Sequence, residues 1–102
     1  MAGRITTPGE SVLVRASLLL RAFSEDEPEL DLAALAARSG LPRSTVHRIA
    51  TELATLGLLD RTSGGFAVGT GLWEIGELSP VSLRLREGAL PHLLELYAAT
   101  GE

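Results

Sequence analysis

The middle of the chain holds two helical patterns separated by a very short turn. Asp31 is a good N-cap for the first pattern, and Gly40 suits the left-handed C′ position at which a helix ends. Leu41 follows, Pro42 suits the first turn of the second helix, and Gly57 ends that helix. A short helix joined to a longer one by so tight a glycine-containing turn is typical of a helix-turn-helix. This motif limits the possible folds more than any other feature of the sequence.

The apolar positions of this helix pair predict how it packs. We expect the first helix over residues 32–39 and the second over residues 42–56. Ala36 is small at the point where the two helices cross. At about 100° per residue, the apolar side chains of the second helix gather on one side. They are Val46, Ile49, Ala50, Leu53 and Leu56. We expect this side to hold the second helix against a preceding helix of the chain.

The flanking sequence predicts a helix before this pair and a β-hairpin after it. Residues 7–10, Thr-Pro-Gly-Glu, form a capping-box pattern that opens a helix ending near Phe23, before an acidic loop. Residues 58–61 and 66–69 have strand composition, and residues 62–65 between them, Thr-Ser-Gly-Gly, have turn chemistry. The expected fold is therefore mainly α with a small β-hairpin: a winged helix-turn-helix, that is, a three-helix bundle plus a wing.

Further helical segments follow the hairpin. A short helix is expected over residues 71–76, and the periodicity after Pro80 is again helical. Trp73 is interpreted as packing in the core or against a neighbouring helix. The expected domains are a winged helix-turn-helix over residues 1–78 and, over residues 79–102, linker helices and the start of a further domain.

Composition excludes several classes of protein. The chain has 102 residues, 45% of them hydrophobic, which suits one small packed domain. Cysteine is absent, so disulfides, thiolate metal sites and cysteine nucleophiles are excluded, and a cytoplasmic location is compatible. No His–carboxylate cluster has metal-ligand spacing, no Ser has a base nearby, and no glycine run forms a P-loop. We expect no enzyme activity, no cofactor, no metal and no membrane partner.

The charge distribution leaves room for a basic face. The formal net charge is −4, which argues against nucleic acid, but the acids cluster in the loop before the helix pair. Between Arg38 and Arg61 there are four arginines and two acids, a local net charge of +2. On the second helix, polar side chains lie opposite the apolar side, and Ser, Thr, His and Arg there could reach base edges and phosphates in a major groove. The free N–H groups at the start of that helix also favour phosphate.

The candidate DNA-contacting residues come from the second helix and the hairpin. In the helix they are Arg43, Ser44, Thr45, His47, Arg48 and Thr51. In the hairpin they are Arg61, Gly64 and Gly65, the two glycines through their backbone amides. A polar face by itself is typical of any surface helix, so the interpretation depends on the helix-turn-helix framework and the hairpin that follows it.

Beyond these patterns, the sequence resembles the N-terminal domain of the IclR family of bacterial transcriptional regulators. The resemblance spans about Val12 to Glu102. Its blocks are residues 41–48 (LPRSTVHR), 56–59 (LGLL), 66–69 (FAVG), 72–76 (LWEIG), 91–93 (PHL) and 100–102 (TGE). It implies a homodimer that binds a palindromic operator and acts in the bacterial cytoplasm, on the nucleoid. It also implies a C-terminal domain that binds a small-molecule effector. The chain ends about where that domain would begin. It is expected to be either an excised domain or a protein that has lost its sensor domain.

Two positions depart from the family pattern. Family wings carry basic residues where this chain has Gly65 and Ala67, so wing contacts to phosphate are in doubt. The leading interpretation is a DNA-binding regulator, and the alternative is a winged-helix module for protein–protein contact.

The dimer surface is expected on the terminal helices, which are unusually apolar. Its residues on the first helix include Val12, Leu13, Val14, Leu18, Leu19 and Leu20.

Overall fold

A computed structural model describes residues 10–89 and Glu95, and the chain divides between Leu72 and Trp73 into two units. The elements, in chain order, are α1 (Val12–Leu20), β1 (Glu29–Leu30), α2 (Leu32–Ser39), α3 (Arg43–Thr55), β2 (Leu59–Arg61), β3 (Phe66–Val68), α4 (Thr70–Glu77), α5 (Pro80–Arg84) and a π-helical turn (Leu85–Ala89). This architecture confirms the predicted winged helix-turn-helix and the short helix near residues 71–76.

The turn between α2 and α3 has the predicted chemistry. The Asp31 side chain accepts a hydrogen bond from the Ala34 N–H at 2.8 Å and caps α2. Gly40 is left-handed, with φ 75°, and its N–H donates to the Ala36 carbonyl at 2.9 Å. A side chain would be strained at this φ, so the sharp exit from α2 depends on glycine. Pro42 is extended and is the N-cap, so α3 begins one residue later than predicted.

The core lies between the three helices and the sheet, and the apolar side of α3 supplies much of it. Val46, Ile49 and Leu53 are buried, as predicted. The rest of the buried apolar core comprises Leu19, Ala22, Leu30, Leu35, Leu41, Ala50, Leu59 and Phe66. Leu56 was also predicted on this side, but it is 66% exposed. It follows the last residue of α3, where the chain already turns towards Gly57 at φ 81°.

Helix α1 differs from its prediction at both ends. The capping box over residues 7–10 falls mostly outside the described residues, and α1 begins at Val12, after Ser11. The Ser11 hydroxyl accepts a hydrogen bond from the Val14 N–H at 3.1 Å and is the cap. The helix ends at Leu20 rather than near Phe23, because the backbone leaves the helix after Arg21. Phe23 still packs against the core from the loop.

The sheet has a third strand that the sequence did not indicate. β1 lies within the predicted acidic loop and pairs antiparallel with β3, giving the strand order β1-β3-β2. Glu29 faces Ala67, and Leu30 faces Phe66. A strand of two residues has no periodicity to detect, and it forms because Leu30 is buried beside Phe66.

The second unit begins within α4, and its described side chains are largely exposed. Trp73 is 62% exposed, so the prediction that it packs in the core is wrong. Ser79 caps α5, and Arg86 forms an ion pair with Glu77 at 3.3 Å. The later part of the helical segment predicted after Pro80 falls outside the described residues except for Glu95, which is helical.

The close approach of the hairpin turn to β1 gives a stability prediction. A Cβ at Gly65 would lie 2.2 Å from the Leu30 carbonyl oxygen, whereas a Cβ at Gly64 would lie 3.8 Å from its nearest neighbour. Gly65→Ala is therefore expected to destabilise the fold by about 1–3 kcal/mol. The matched control, Gly64→Ala, is expected to change stability by no more than about 0.5 kcal/mol. Denaturant midpoints measure both, and equal midpoints would contradict the close packing of β1 on the turn.

Candidate nucleic-acid interface

The side of α3 that faces away from the core carries the candidate residues of the helix. Arg43, Ser44, His47 and Arg48 are exposed, and Thr45 and Thr51 are half-buried. The same helix is held on its other side by Val46, Ile49, Ala50 and Leu53. The donors are therefore presented by a backbone whose position is fixed by the core, which suits a recognition surface.

The arginines near α3 differ in what they contact. Within residues 10–89, the side chains of Arg43 and Arg48 make no hydrogen bond or ion pair, so their guanidinium groups are free to meet a ligand. Arg38 is engaged: it forms an ion pair with Glu27 and donates to the Ala22 carbonyl at 2.8 Å. The local net charge of +2 between Arg38 and Arg61 included Arg38. Its guanidinium instead holds the acidic loop against α2.

Arg61 connects the hairpin to α3. Its Nη2 donates a hydrogen bond to Thr51 Oγ1 at 3.2 Å, and its Cζ lies 5.3 Å from the centre of the Phe66 ring. These contacts hold an exposed guanidinium beside the polar side of α3. The structure thus brings Thr51 and Arg61 together, although they are ten residues apart in sequence.

The two hairpin glycines have different surroundings. The Gly65 N–H donates within the turn to the Thr62 carbonyl at 3.4 Å, and Gly65 lies against the β1 backbone. Among the described residues, the exposed Gly64 N–H has no hydrogen-bond partner. A Cβ at Gly64 would, however, lie 3.8 Å from Glu29 Oε2, so a carboxylate stands beside this amide. Of the two amides, only that of Gly64 remains available, and its environment is acidic.

Sequence reasoning missed two residues of this surface. Thr55 is exposed, follows Thr51 by one helical turn, and donates from Oγ1 to the Thr51 carbonyl at 3.1 Å. The helical wheel could have found it, because it lies four residues after Thr51. Glu29 could not be found in this way, since only the pairing of β1 with β3 brings it to the hairpin.

Two other kinds of site are absent from the described part of the chain. No group of three or more His, Cys, Asp or Glu residues there could hold a metal ion. In that same part, no helix has the length and apolar character needed to cross a bilayer.

A helix-turn-helix with a polar recognition face and an adjoining β-hairpin defines a winged-helix DNA-binding domain. Comparison with known proteins gives the family: residues 12–63 match the model of the IclR helix-turn-helix domain. The chain belongs to the IclR family, and residues 12–63 form the helix-turn-helix domain of that family.

Curated relatives are bacterial regulators of greater length. The chain is 34% identical over 85 residues to the HTH-type transcriptional regulator KipR of Bacillus subtilis, a match that covers 82% of this chain and 34% of KipR. It is 32% identical over 96 residues to the DNA-binding transcriptional repressor YiaJ of Escherichia coli, covering 92% of this chain and 34% of YiaJ. The chain thus spans about a third of the length of these relatives.

Solved structures share the fold. An IclR homolog from Microbacterium hydrocarbonoxydans, crystallised in complex with 4-hydroxybenzoate, has a TM-score of 0.77 and 33% identity over 90% of this chain and 39% of its own. An IclR homolog from Microbacterium sp. strain HM58-2 has a TM-score of 0.68 and 33% identity over 88% of this chain and 38% of its own.

Proposed function

We propose that α3 enters the major groove of an operator and that Arg48 contacts base edges while Arg43 contacts phosphate. The observation that carries this proposal is the pair of arginines without partners on the side of α3 opposite the core. On a helical wheel, Arg48 lies near the middle of the exposed side and Arg43 at its edge. A central arginine suits bidentate pairing with guanine O6 and N7, and an arginine at the edge suits the backbone.

The other candidates support the same placement of the helix. Ser44, Thr45 and His47 lie in the first turns of α3, where free N–H groups and the helix dipole favour phosphate. Thr51 contacts DNA through its partner Arg61, whose guanidinium reaches the phosphate backbone beside the groove. Gly64 and Gly65 contribute little, because the Gly65 amide bonds within the turn and a carboxylate lies beside Gly64. The domain acts by binding DNA and not by catalysis.

Replacing the two arginines tests the placement. Arg48→Ala is expected to weaken operator binding by about 1–3 kcal/mol and to relax the base preference at one position of each half-site. Arg43→Ala is expected to weaken binding to all duplexes and to lower the slope of log K against log salt by about one.

The measurement is a salt titration on a duplex that the protein has selected from a random-sequence pool. Arg21→Ala is the matched control, because it removes an exposed arginine at the C-cap of α1 whose side chain bonds only to Ser17 within the described residues. If both α3 variants behave like this control, the placement of α3 is wrong. Duplex binding whose affinity does not depend on salt would favour the alternative, a module for protein–protein contact.

We further propose that the domain works as a homodimer that reads an inverted repeat, with α1 as part of the contact between copies. The first turn of α1 is exposed and apolar: Val12 is 47% exposed, Leu13 78% and Val14 43%. Leu19 is fully buried, and Leu18 and Leu20 pack against the core, so these three belong to the fold rather than to the contact. Val81, Leu83 and Leu85 are also exposed on the later helical segment. Apolar surface of this kind usually marks an interface, and two-fold symmetry requires a palindromic operator.

Leu13→Glu tests the dimer without disturbing the core. This variant is expected to sediment as a monomer at micromolar concentration, where the unmodified chain sediments as a dimer, because a carboxylate would be buried in the contact. Leu56→Glu is the matched control, since Leu56 is 66% exposed at the C-cap of α3, away from α1 in sequence. A monomeric unmodified chain that binds one half-site as tightly as the inverted repeat would rule the dimer out.

The complete regulator is proposed to contain more than this domain. Residues 1–78 form the winged helix-turn-helix domain, and residues 79–102 form the linker and the start of a C-terminal effector domain that binds a small molecule. The greater length of KipR and YiaJ supports this arrangement, as does the IclR homolog crystallised with 4-hydroxybenzoate. Such a regulator acts in the bacterial cytoplasm, on the nucleoid when bound to DNA.

A further inference from the structure

The strand β1 brings a carboxylate to the hairpin turn. Glu29 is exposed at the start of β1, and its Oε2 and Cδ lie 3.8 Å and 4.0 Å from where a Cβ of Gly64 would be. Gly64 lies in the turn that joins β2 to β3. Among the described residues, the charge nearest to Gly64 is therefore negative.

Among the described residues, no cation pairs with this carboxylate. Within residues 10–89, the Glu29 side chain forms no ion pair or hydrogen bond, whereas Glu27, two residues earlier, is paired with Arg38. Arg61 is directed to Thr51 and to the Phe66 ring. The Glu29 carboxylate therefore has no described ion-pair partner, although Arg61 ends β2 just before this turn.

The strand register adds a second carboxylate to the same face of the sheet. Glu29 and Asp60 both pair with Ala67, one from each side, and directly opposed residues project to the same face. Both acids are exposed, and the residue between them is uncharged. This face of the sheet is therefore anionic from β1 to β2.

An anion at this position acts differently on two kinds of duplex. Binding without sequence preference depends almost wholly on phosphate contacts, and it samples many placements, including those with the wing against the backbone. On an operator, base contacts of α3 fix one placement, and the wing turn has one position. A negative charge at the turn therefore weakens binding without sequence preference more than it weakens operator binding. This difference raises specificity.

We propose that Glu29 is a specificity-determining residue: it holds the hairpin turn away from DNA phosphates and so weakens binding to DNA other than the operator. This inference rests on the proposed insertion of α3 into DNA. It assigns recognition to α3 and Arg61, and it makes the hairpin turn a region that avoids the backbone.

The test compares Glu29→Gln with the unmodified chain on two probes, a mixed-sequence duplex and an operator duplex selected by the unmodified protein. Removing one charge a few ångströms from a phosphate is expected to tighten binding to the mixed-sequence duplex about two- to fivefold at low salt, with a steeper salt dependence. The operator affinity is expected to rise less, so the ratio of the two affinities falls. Glu74→Gln, which removes an exposed carboxylate from α4, is the matched control and is expected to leave that ratio unchanged.

The possible outcomes separate this inference from the proposed function. If Glu29→Gln and Glu74→Gln bind the mixed-sequence duplex equally, Glu29 does not repel phosphate, and the placement of α3 is unaffected. If Glu29→Gln loses affinity for the operator, the carboxylate accepts a hydrogen bond from DNA, and the proposal is overturned in favour of direct contact. If the unmodified chain binds neither duplex, both the inference and the proposed function fail. Thermal unfolding of both variants verifies that each is folded.

Discussion

The packing of one side of α3 into the core is the interaction on which the rest of the structure depends. Val46, Ile49 and Leu53 are buried among side chains of α1, α2 and the sheet, and burial of each such side chain contributes about 1.5–3 kcal/mol. Because this side alone fixes the helix, the opposite side is free to carry unpaired polar groups. Gly40 sets the angle at which α3 leaves α2, so a single left-handed residue determines where the arginines point.

The helix pair could be predicted because its signals are local. Asp31 and Gly40 act through hydrogen bonds to residues three or four positions away, and such bonds are encoded in short stretches of sequence. β1 could not be predicted, because it consists of two residues that pair with a strand more than thirty positions later. Trp73 was misassigned for a related reason. Its apolar character indicates burial, but burial depends on whether other parts of the chain pack against it, and Trp73 is exposed.

The candidate site was predictable in its residues but not in their environment. The helical wheel placed Arg48 on the exposed side, whereas the engagement of Arg38 by Glu27 depends on how the acidic loop folds back. The net charge of −4 therefore says little about the recognition surface. Glu27 fastens the acidic loop, and Glu29 and Asp60 lie along the sheet, whereas α3 carries the exposed Arg43 and Arg48 together with Glu52. We therefore expect weak non-specific attraction to DNA, so that base contacts determine affinity.

Chemical protection of the two grooves distinguishes binding of α3 in the major groove from binding in the minor groove. Dimethyl sulfate methylates guanine N7 in the major groove and adenine N3 in the minor groove. On a duplex that the protein has selected from a random-sequence pool, we predict protection of guanine N7 within each half-site and continued reactivity of adenine N3. Reactive guanine N7 throughout, with protection confined to adenine N3, would show that the protein reads the minor groove and that α3 is not the recognition helix.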